Sequence, residues 1–494
     1  MRAYILFLLS LVLLASCYKD KGNYNYTDIN EIEIGGFKDT TVFYGEPYKL
    51  VPQITGTIDK SIDTSRYIFK WTAIGPGSLL IGDRVKELGS SFTLNLTTVT
   101  LQPSTWTVYL FVKDRETGIT WNKSFKLNVS TSIFEGYLLL TDVNDKTRLD
   151  MLSYRDGNFV LMKDVLSSVG STIPQQGKPL QIVSYNYDPT MWGIYLLTET
   201  QTTKIHPETF AWQFTYDINY EMSAGAVPAT FKGKYLKGGL NTAWLVGEDD
   251  NLYYYYRVFQ IKMGLPVNIE AGQVAPFRVA PFIASNSAGV AIMFDKDARR
   301  FIRLASGGAV ATKMNNGTLF DHNNVKGDLR FMENLYGTDN VYAVLHYPDS
   351  SNKIHVARFA MTGVQSYYAP VLAPNVDKAD FYTFSPDLGY MFYNIGSKVY
   401  EYDLSLKTSK MMIDFGIKKI TQMKFQEFSR RTSKPDTYGQ WYNRLMVAVE
   451  DPAKPVGENG ELHLYTVPPV NGDLTLFQSY TGFGKVKDFT YRER

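Results

Sequence analysis

The chain of 494 residues has one cysteine, five histidines and almost no surplus of either charge. A single cysteine excludes an internal disulfide, so the folded state must stand on packing and hydrogen bonding alone. The histidines, His206, His322, His346, His355 and His463, are scattered, and none has the His/Glu or Cys spacing of a metal site. His355 and His463 fall in strand-like runs and read as structural. Lys and Arg together number 51 against 49 for Asp and Glu, without a basic stripe, so nucleic acid is not an expected partner. No segment after residue 16 approaches the length of uninterrupted apolar sequence that a spanning helix needs, about 18 residues or more. Gly-x-Ser-x-Gly elbows, phosphate-binding Gly loops and dinucleotide fingerprints are missing. Acidic turns such as Asp142–Asp145, Glu248–Asp250 and Asp295–Asp297 lack the central Gly and distal Glu of a calcium loop. No catalytic residue, metal ligand or cofactor is therefore assigned.

What is present favours strands. Tyr (35) and Phe (29) are abundant and hydrophobic residues make up 44 % of the chain, enough for folded cores. Residues 31–130 contain about seven short strand-like runs separated by turn signals such as Gly35-Gly36, Gly45–Pro47 and Gly75–Gly77. That spacing predicts a β-sandwich, with Trp71 at the place where an immunoglobulin-like core often sets its tryptophan. Residues 131–494 repeat a different unit: an apolar strand, a polar turn, then a second strand. Copies start near Gly136, Trp192, Thr242, Gly289, Val341, Gly389 and Leu445. A period of roughly 45–55 residues suggests propeller blades, about seven of them. The run Lys485–Tyr491 has no partner strands after it and is expected to complete the first blade, closing the ring. The fold class is thus all-β, a sandwich followed by a propeller.

The first 30 residues carry a separate message. Arg2 precedes an apolar run from Ala3 to Ala15, too short to span a bilayer and of the length of a signal-peptide core. Leu14-Ala15-Ser16-Cys17 resembles the lipobox of bacterial lipoproteins. That resemblance implies cleavage before Cys17, lipidation of Cys17, and a polar tether over residues 17–30. Residues 17–26, together with Asn30–Ile34, Gly45, Pro52 and Tyr67–Trp71, look like the PKD-like family of Bacteroidota lipoproteins. Such proteins typically accompany SusC/SusD-like nutrient importers. The resemblance implies an outer-membrane lipoprotein facing the cell exterior, although Lys19-Asp20-Lys21 only weakly matches a surface-export signal and periplasmic retention stays open.

The expected role is that of an accessory to a SusC/SusD-like TonB-dependent uptake system, binding glycan or oligopeptide or docking on the importer, and not an enzyme. A propeller hydrolase or lyase and a structural or adhesive surface protein are the alternatives. The candidate ligand-binding residues are Trp244 and the run Tyr253, Tyr254, Tyr255 and Tyr256, whose rings alternate between the two faces of a strand and could stack on a ligand. Packing between blades is the competing reading for the same residues.

Overall fold

The computed structural model describes residues 29–494 except 61, 76–83, 156, 186–192, 224, 226, 240, 260, 336 and 337. Cys17 and the apolar run before it that is expected to be a signal sequence, with Pro76, Gly77, Tyr187 and Trp192, lie outside the described residues. The chain divides into two compact units, with the boundary between Thr131 and Ser132.

The first unit is the sandwich. Its five-stranded sheet has the order Thr40–Phe43, Thr120–Ser130, Ser104–Asp114, Tyr67–Ile74, Val85–Gly89. The first pair is parallel and the others antiparallel. Two further two-stranded sheets join Ile32–Gly35 to Gln53–Gly56 and Tyr48–Leu50 to Leu94–Leu96. Alternation sets the inward face, as in Ser104–Asp114, where Trp106, Val108, Leu110 and Val112 are buried. Trp71 is fully buried and its indole N–H donates to the carbonyl of Ser91 at 2.9 Å. At one edge of this core Arg66 grips the buried Asp114 through two hydrogen bonds of 2.5 and 3.1 Å. The guanidinium holds that carboxyl well below the usual carboxylate range, against the opposing effect of burial.

The second unit is a seven-bladed propeller. Among the described residues blades 2 and 3 have three strands each, Pro179–Tyr185, Gly193–Thr198, Thr202–Ile205 and Gly233–Gly238, Thr242–Gly247, Leu252–Tyr256. Blades 4 to 7 have four each and begin with the inner strands Ala284–Ser285, Asp328–Asn334, Tyr382–Phe384 and Lys419–Phe425. Blade 1 is assembled from both ends of the unit. Gly136–Val143, Lys146–Arg155 and Asn158–Met162 come first in the chain, and Lys485–Arg492 pairs antiparallel with Gly136–Val143 as the innermost strand.

Second strands are apolar on both faces because each face packs against a different neighbour. Tyr137 and Leu139 enter the core shared with blade 7, while Leu138 and Leu140 enter the core shared with blade 2. The same division recurs around the ring and yields seven interblade cores, so the circle is complete. Continuous apolar strands of this kind are expected wherever a sheet is buried on both sides.

Inner strands carry a second regularity. In blades 1, 2, 3, 5 and 7 the pairing to the next strand slips by one residue, skipping Lys487, Leu180, Lys234, Arg330 and Thr421. These are β-bulges at equivalent positions. A bulge sets two successive side chains on one side of the strand. The residue after next returns to the interblade core: Phe489, Ile182, Leu236, Met332 and Met423 are all buried.

Removal of residues 485–494 is expected to leave blade 1 with an unpaired edge and to strip Val486, Phe489 and Tyr491 from the blade 7/blade 1 core. Thermal unfolding by circular dichroism should then lose the cooperative propeller transition, and size-exclusion chromatography should show aggregation.

Candidate functional site

The inner strands surround a channel of about 450 Å³ on the propeller axis, lined from all seven blades. Its wall follows from the bulges. Along each bulged strand the residue after the bulge and the one two further on reach the channel, joined on blades 2, 3 and 5 by the bulge residue itself, giving Arg330, Phe331 and Glu333 on blade 5 and Lys234, Tyr235 and Lys237 on blade 3. Blades 7 and 1 contribute Gln422 with Lys424 and Asp488 with Thr490. The wall is uneven. Tyr235, Phe282 and Phe331 make an aromatic side, with ring centroids 6.1 and 5.7 Å apart. The facing side, from blades 7, 1 and 2, is made of amides, hydroxyls and a Lys424–Asp488 ion pair of 2.6 Å.

Several lining groups bind one blade to the next. Inner strands have one free edge, and their backbone groups need partners. Asp488 accepts from the Ile182 N–H at 3.0 Å, Gln181 accepts from the Leu236 N–H at 2.8 Å, and Glu333 accepts from the Phe384 N–H at 2.8 Å. Each is a side chain of one blade satisfying the backbone of its neighbour.

At one mouth a charged cluster crosses the axis. Lys237, on blade 3, pairs with Glu427, just past the inner strand of blade 7, at 2.7 Å. Blades 3 and 7 stand on opposite sides of a seven-membered ring, so this pair bars the channel. Burial works against the Lys237 charge, but Glu427, Tyr235 and Glu333 outweigh it and keep the ammonium above its ordinary range. Burial pushes Glu333 up to about 7, assisted by the negative charge of Glu427 and opposed by the Phe384 N–H and by Lys237. A proton is therefore held near neutrality at a carboxyl inside the cavity. A smaller recess adjoins this mouth, lined by Glu333, Phe384, Phe425, Glu427, Arg431 and Tyr442 among others. No group of three or more His, Cys, Asp or Glu able to hold a metal occurs among the described residues.

The aromatic run chosen from sequence lies elsewhere. Trp244 is fully buried in the core between blades 3 and 4, against Tyr254, with centroids 4.5 Å apart. Tyr253 and Tyr255 are buried in the core between blades 2 and 3. Tyr256 is half-buried and meets Phe259 edge-on at 5.4 Å. None of the five lines the channel. The alternation of rings to both faces of the strand is as expected, but both faces of a blade are packed against neighbours, so the rings serve interblade packing. Glu333, Lys237 and Glu427 were not singled out from sequence, because 190 positions separate Lys237 from Glu427 and only ring closure unites them. His463 bonds Glu461 and Ser479, and His355 stacks on Tyr368, both structural placements.

Residues 17–179 match the model of the PKD-like family. The match covers the sandwich and runs into the first strand of blade 2. Among curated proteins no sequence match is found. Solved structures of similar shape include a quinonprotein alcohol dehydrogenase-like protein from Bacteroides thetaiotaomicron, 11 % identical, TM-score 0.45, with 92 % of this chain and 96 % of that one covered. A DUF4784 family protein from Bacteroides caccae is 11 % identical with a TM-score of 0.32, covering 78 % of this chain and 96 % of that one. YCF48 from Cyanidioschyzon merolae is 10 % identical with a TM-score of 0.36, covering 63 % and 95 %.

Two outcomes test these placements. Trp244→Ala should destabilise the propeller by about 3–5 kcal/mol in urea denaturation, the range for emptying a large buried aromatic site. For Glu333 the folded pKa lies above the unfolded one. Its contribution is full below about pH 4.5 and is lost as pH rises through about 7. Glu333→Gln should flatten that decline, a relative gain of about 2 kcal/mol between pH 4.5 and 8 after discounting for partial exposure, read from melting temperatures across pH.

Proposed function

We propose that this protein is a cell-surface, outer-membrane lipoprotein anchored through Cys17, serving as an accessory of a SusC/SusD-like TonB-dependent uptake system, with the propeller channel as its ligand-binding site. The observation that carries the binding part is the channel itself. It has the size of a small-ligand site, one aromatic side and one polar side, and side chains converging from seven blades. The family match over residues 17–179 and the lipobox-like Leu14–Cys17 support the lipoprotein and importer setting. A binding role, not a catalytic one, fits the engagement of the channel carboxylates. Asp488 is held by Lys424 and the Ile182 N–H, and Glu333 by the Phe384 N–H.

A second reading is favoured by one specific feature. Glu333, pushed up to about 7, shares the cavity with a second carboxyl group, Glu427, and a hydrolase or lyase uses two such groups as acid and base. Turnover of a polysaccharide or peptide panel, abolished by Glu333→Gln, would replace the binding reading with this one.

Purification from outer membranes should recover a TonB-dependent transporter with the wild-type chain. Recovery without any such transporter would overturn the importer setting. Cys17→Ala should move an otherwise folded protein into the soluble fraction on membrane fractionation. Two or three acyl chains bind a bilayer almost permanently, at about 0.8 kcal/mol per buried methylene, so nothing weaker should retain the variant.

A further inference from the structure

The bulged inner strands sort charge along the propeller axis. All inner strands run in the same direction, so equivalent positions form layers. In the bulge layer Lys234 and Arg330 line the channel, with Asp380 of blade 6 beside them. Toward the other end lie Glu333 and Lys237, near the ends of their strands, and Glu427 and Glu493, just past theirs, with Arg431 close by. Lys424, at the same level, is neutralised by Asp488. Arg330 therefore stands toward one end of the channel and the Glu333 and Glu427 carboxyl groups toward the other.

Each end also keeps unused binding capacity. At the carboxyl end the cluster has two carboxyl groups, Glu333 and Glu427, around the single ammonium of Lys237. The Phe384 N–H and the Thr383 hydroxyl both use Oε1 of Glu333, and Oε2 has no hydrogen-bond partner among the described residues. At the other end Arg330 is exposed, and its side-chain partner is His346 at 3.2 Å. It meets no carboxylate at ion-pair distance among the described residues. Lys234, by contrast, is paired with Asp250 at 2.7 Å. Arg430 and Arg431 follow Glu427 on the blade 7 loop, and Arg431 stacks over Tyr442 at 4.7 Å.

Arg330 and Glu333 are three residues apart on one strand, at most about 10 Å along the axis at 3.3 Å per residue, since the bulge at Arg330 shortens the run. An extended tripeptide spans about the same distance from its ammonium to its carboxylate. Between the two groups lie Phe331, Phe282 and Tyr235, an apolar wall against which aliphatic or aromatic side chains can pack.

We propose that the channel binds a short zwitterionic peptide of about three residues, its ammonium received by Glu333 and Glu427 and its carboxylate by Arg330. The Lys237–Glu427 pair bars the channel when no ligand is present, and the incoming ammonium replaces Lys237 on Glu427. A neutral glycan offers no opposite charge to Arg330 or to Glu333 and Glu427. This inference rests on the binding reading above and narrows it to one ligand class.

The test is isothermal titration calorimetry on the full-length chain with trileucine in free, N-acetylated and C-amidated forms, beside cellotriose and glucosamine trimer. Free trileucine should bind. Acetylation and amidation should each weaken binding about tenfold or more, the scale of one charge-assisted hydrogen bond. Glu333→Gln should make the free and acetylated peptides bind within about twofold of each other, and Arg330→Met should do the same for free and amidated peptides. Circular dichroism melts establish that both variants fold, and both substitutions keep side-chain bulk. Equal binding of free and acetylated trileucine to the wild type would overturn the proposal. So would binding of either sugar without trileucine, or no binding at all. Co-purification of the transporter with the same variants separates the two readings. A retained transporter without peptide binding overturns the peptide inference alone, and peptide binding without a transporter overturns the importer setting alone.

Discussion

The pairing of Lys485–Arg492 with Gly136–Val143 is the interaction on which the propeller depends. It joins the two ends of a unit of some 360 residues and supplies the innermost strand of blade 1. Without it, two blades would each present a buried-type apolar face to water. With it, every second strand is covered on both sides, and the chain needs no disulfide. The joint is reinforced by aromatic packing. Tyr137, Phe159, Tyr438, Trp441 and Tyr491 meet at centroid distances of 4.7 to 6.5 Å. The OH groups of Tyr438 and Tyr491 both donate to Glu135.

Ring closure creates the channel and also its chemistry. Seven inner strands can surround an axis only if their free edges are satisfied without adding another strand. Asp488, Gln181 and Glu333 do this by reaching across to the backbone of the adjacent blade. The bulges provide the side chains for the task. By setting two successive residues toward the axis, they place one group for clasping and others for lining the cavity. The same device that holds the blades together thus draws Lys237, Glu333 and Glu427 into one cluster, from blades 3, 5 and 7. Desolvation there shifts Glu333 toward neutrality while the surrounding negative charge keeps Lys237 protonated.

Much of the architecture was legible from residue pattern. Gly136–Thr141, Thr242–Val246 and Leu445–Val449 read as buried strands because a blade packed on both faces needs apolar residues at every position, not at alternate ones. Lys485–Tyr491 read as a closing strand because it lacked following partners. The site was less legible. Trp244 and Tyr253–Tyr256 drew attention as a dense aromatic run, yet such density at a second or third strand serves interblade cores. The channel residues gave little signal, being single charged or amide residues within short inner strands. A four-residue pattern was present in Lys234-Tyr235-Leu236-Lys237 and Arg330-Phe331-Met332-Glu333, with a cationic residue followed by an aromatic, an apolar and a charged one. Its meaning depended on bulges, which strand periodicity does not disclose.

The sequence by itself determined the all-β character, the sandwich and propeller order and the near-sevenfold repeat, because these follow from local strand patterning and its period. It also determined the single cysteine at position 17, and with it the absence of any internal disulfide. Only the tertiary structure decided which residues face the axis, because a one-residue bulge changes the side on which neighbouring side chains stand. It alone brought Lys237 to Glu427 and set Glu333 beside them, since contacts across a closed ring join positions that no local spacing relates.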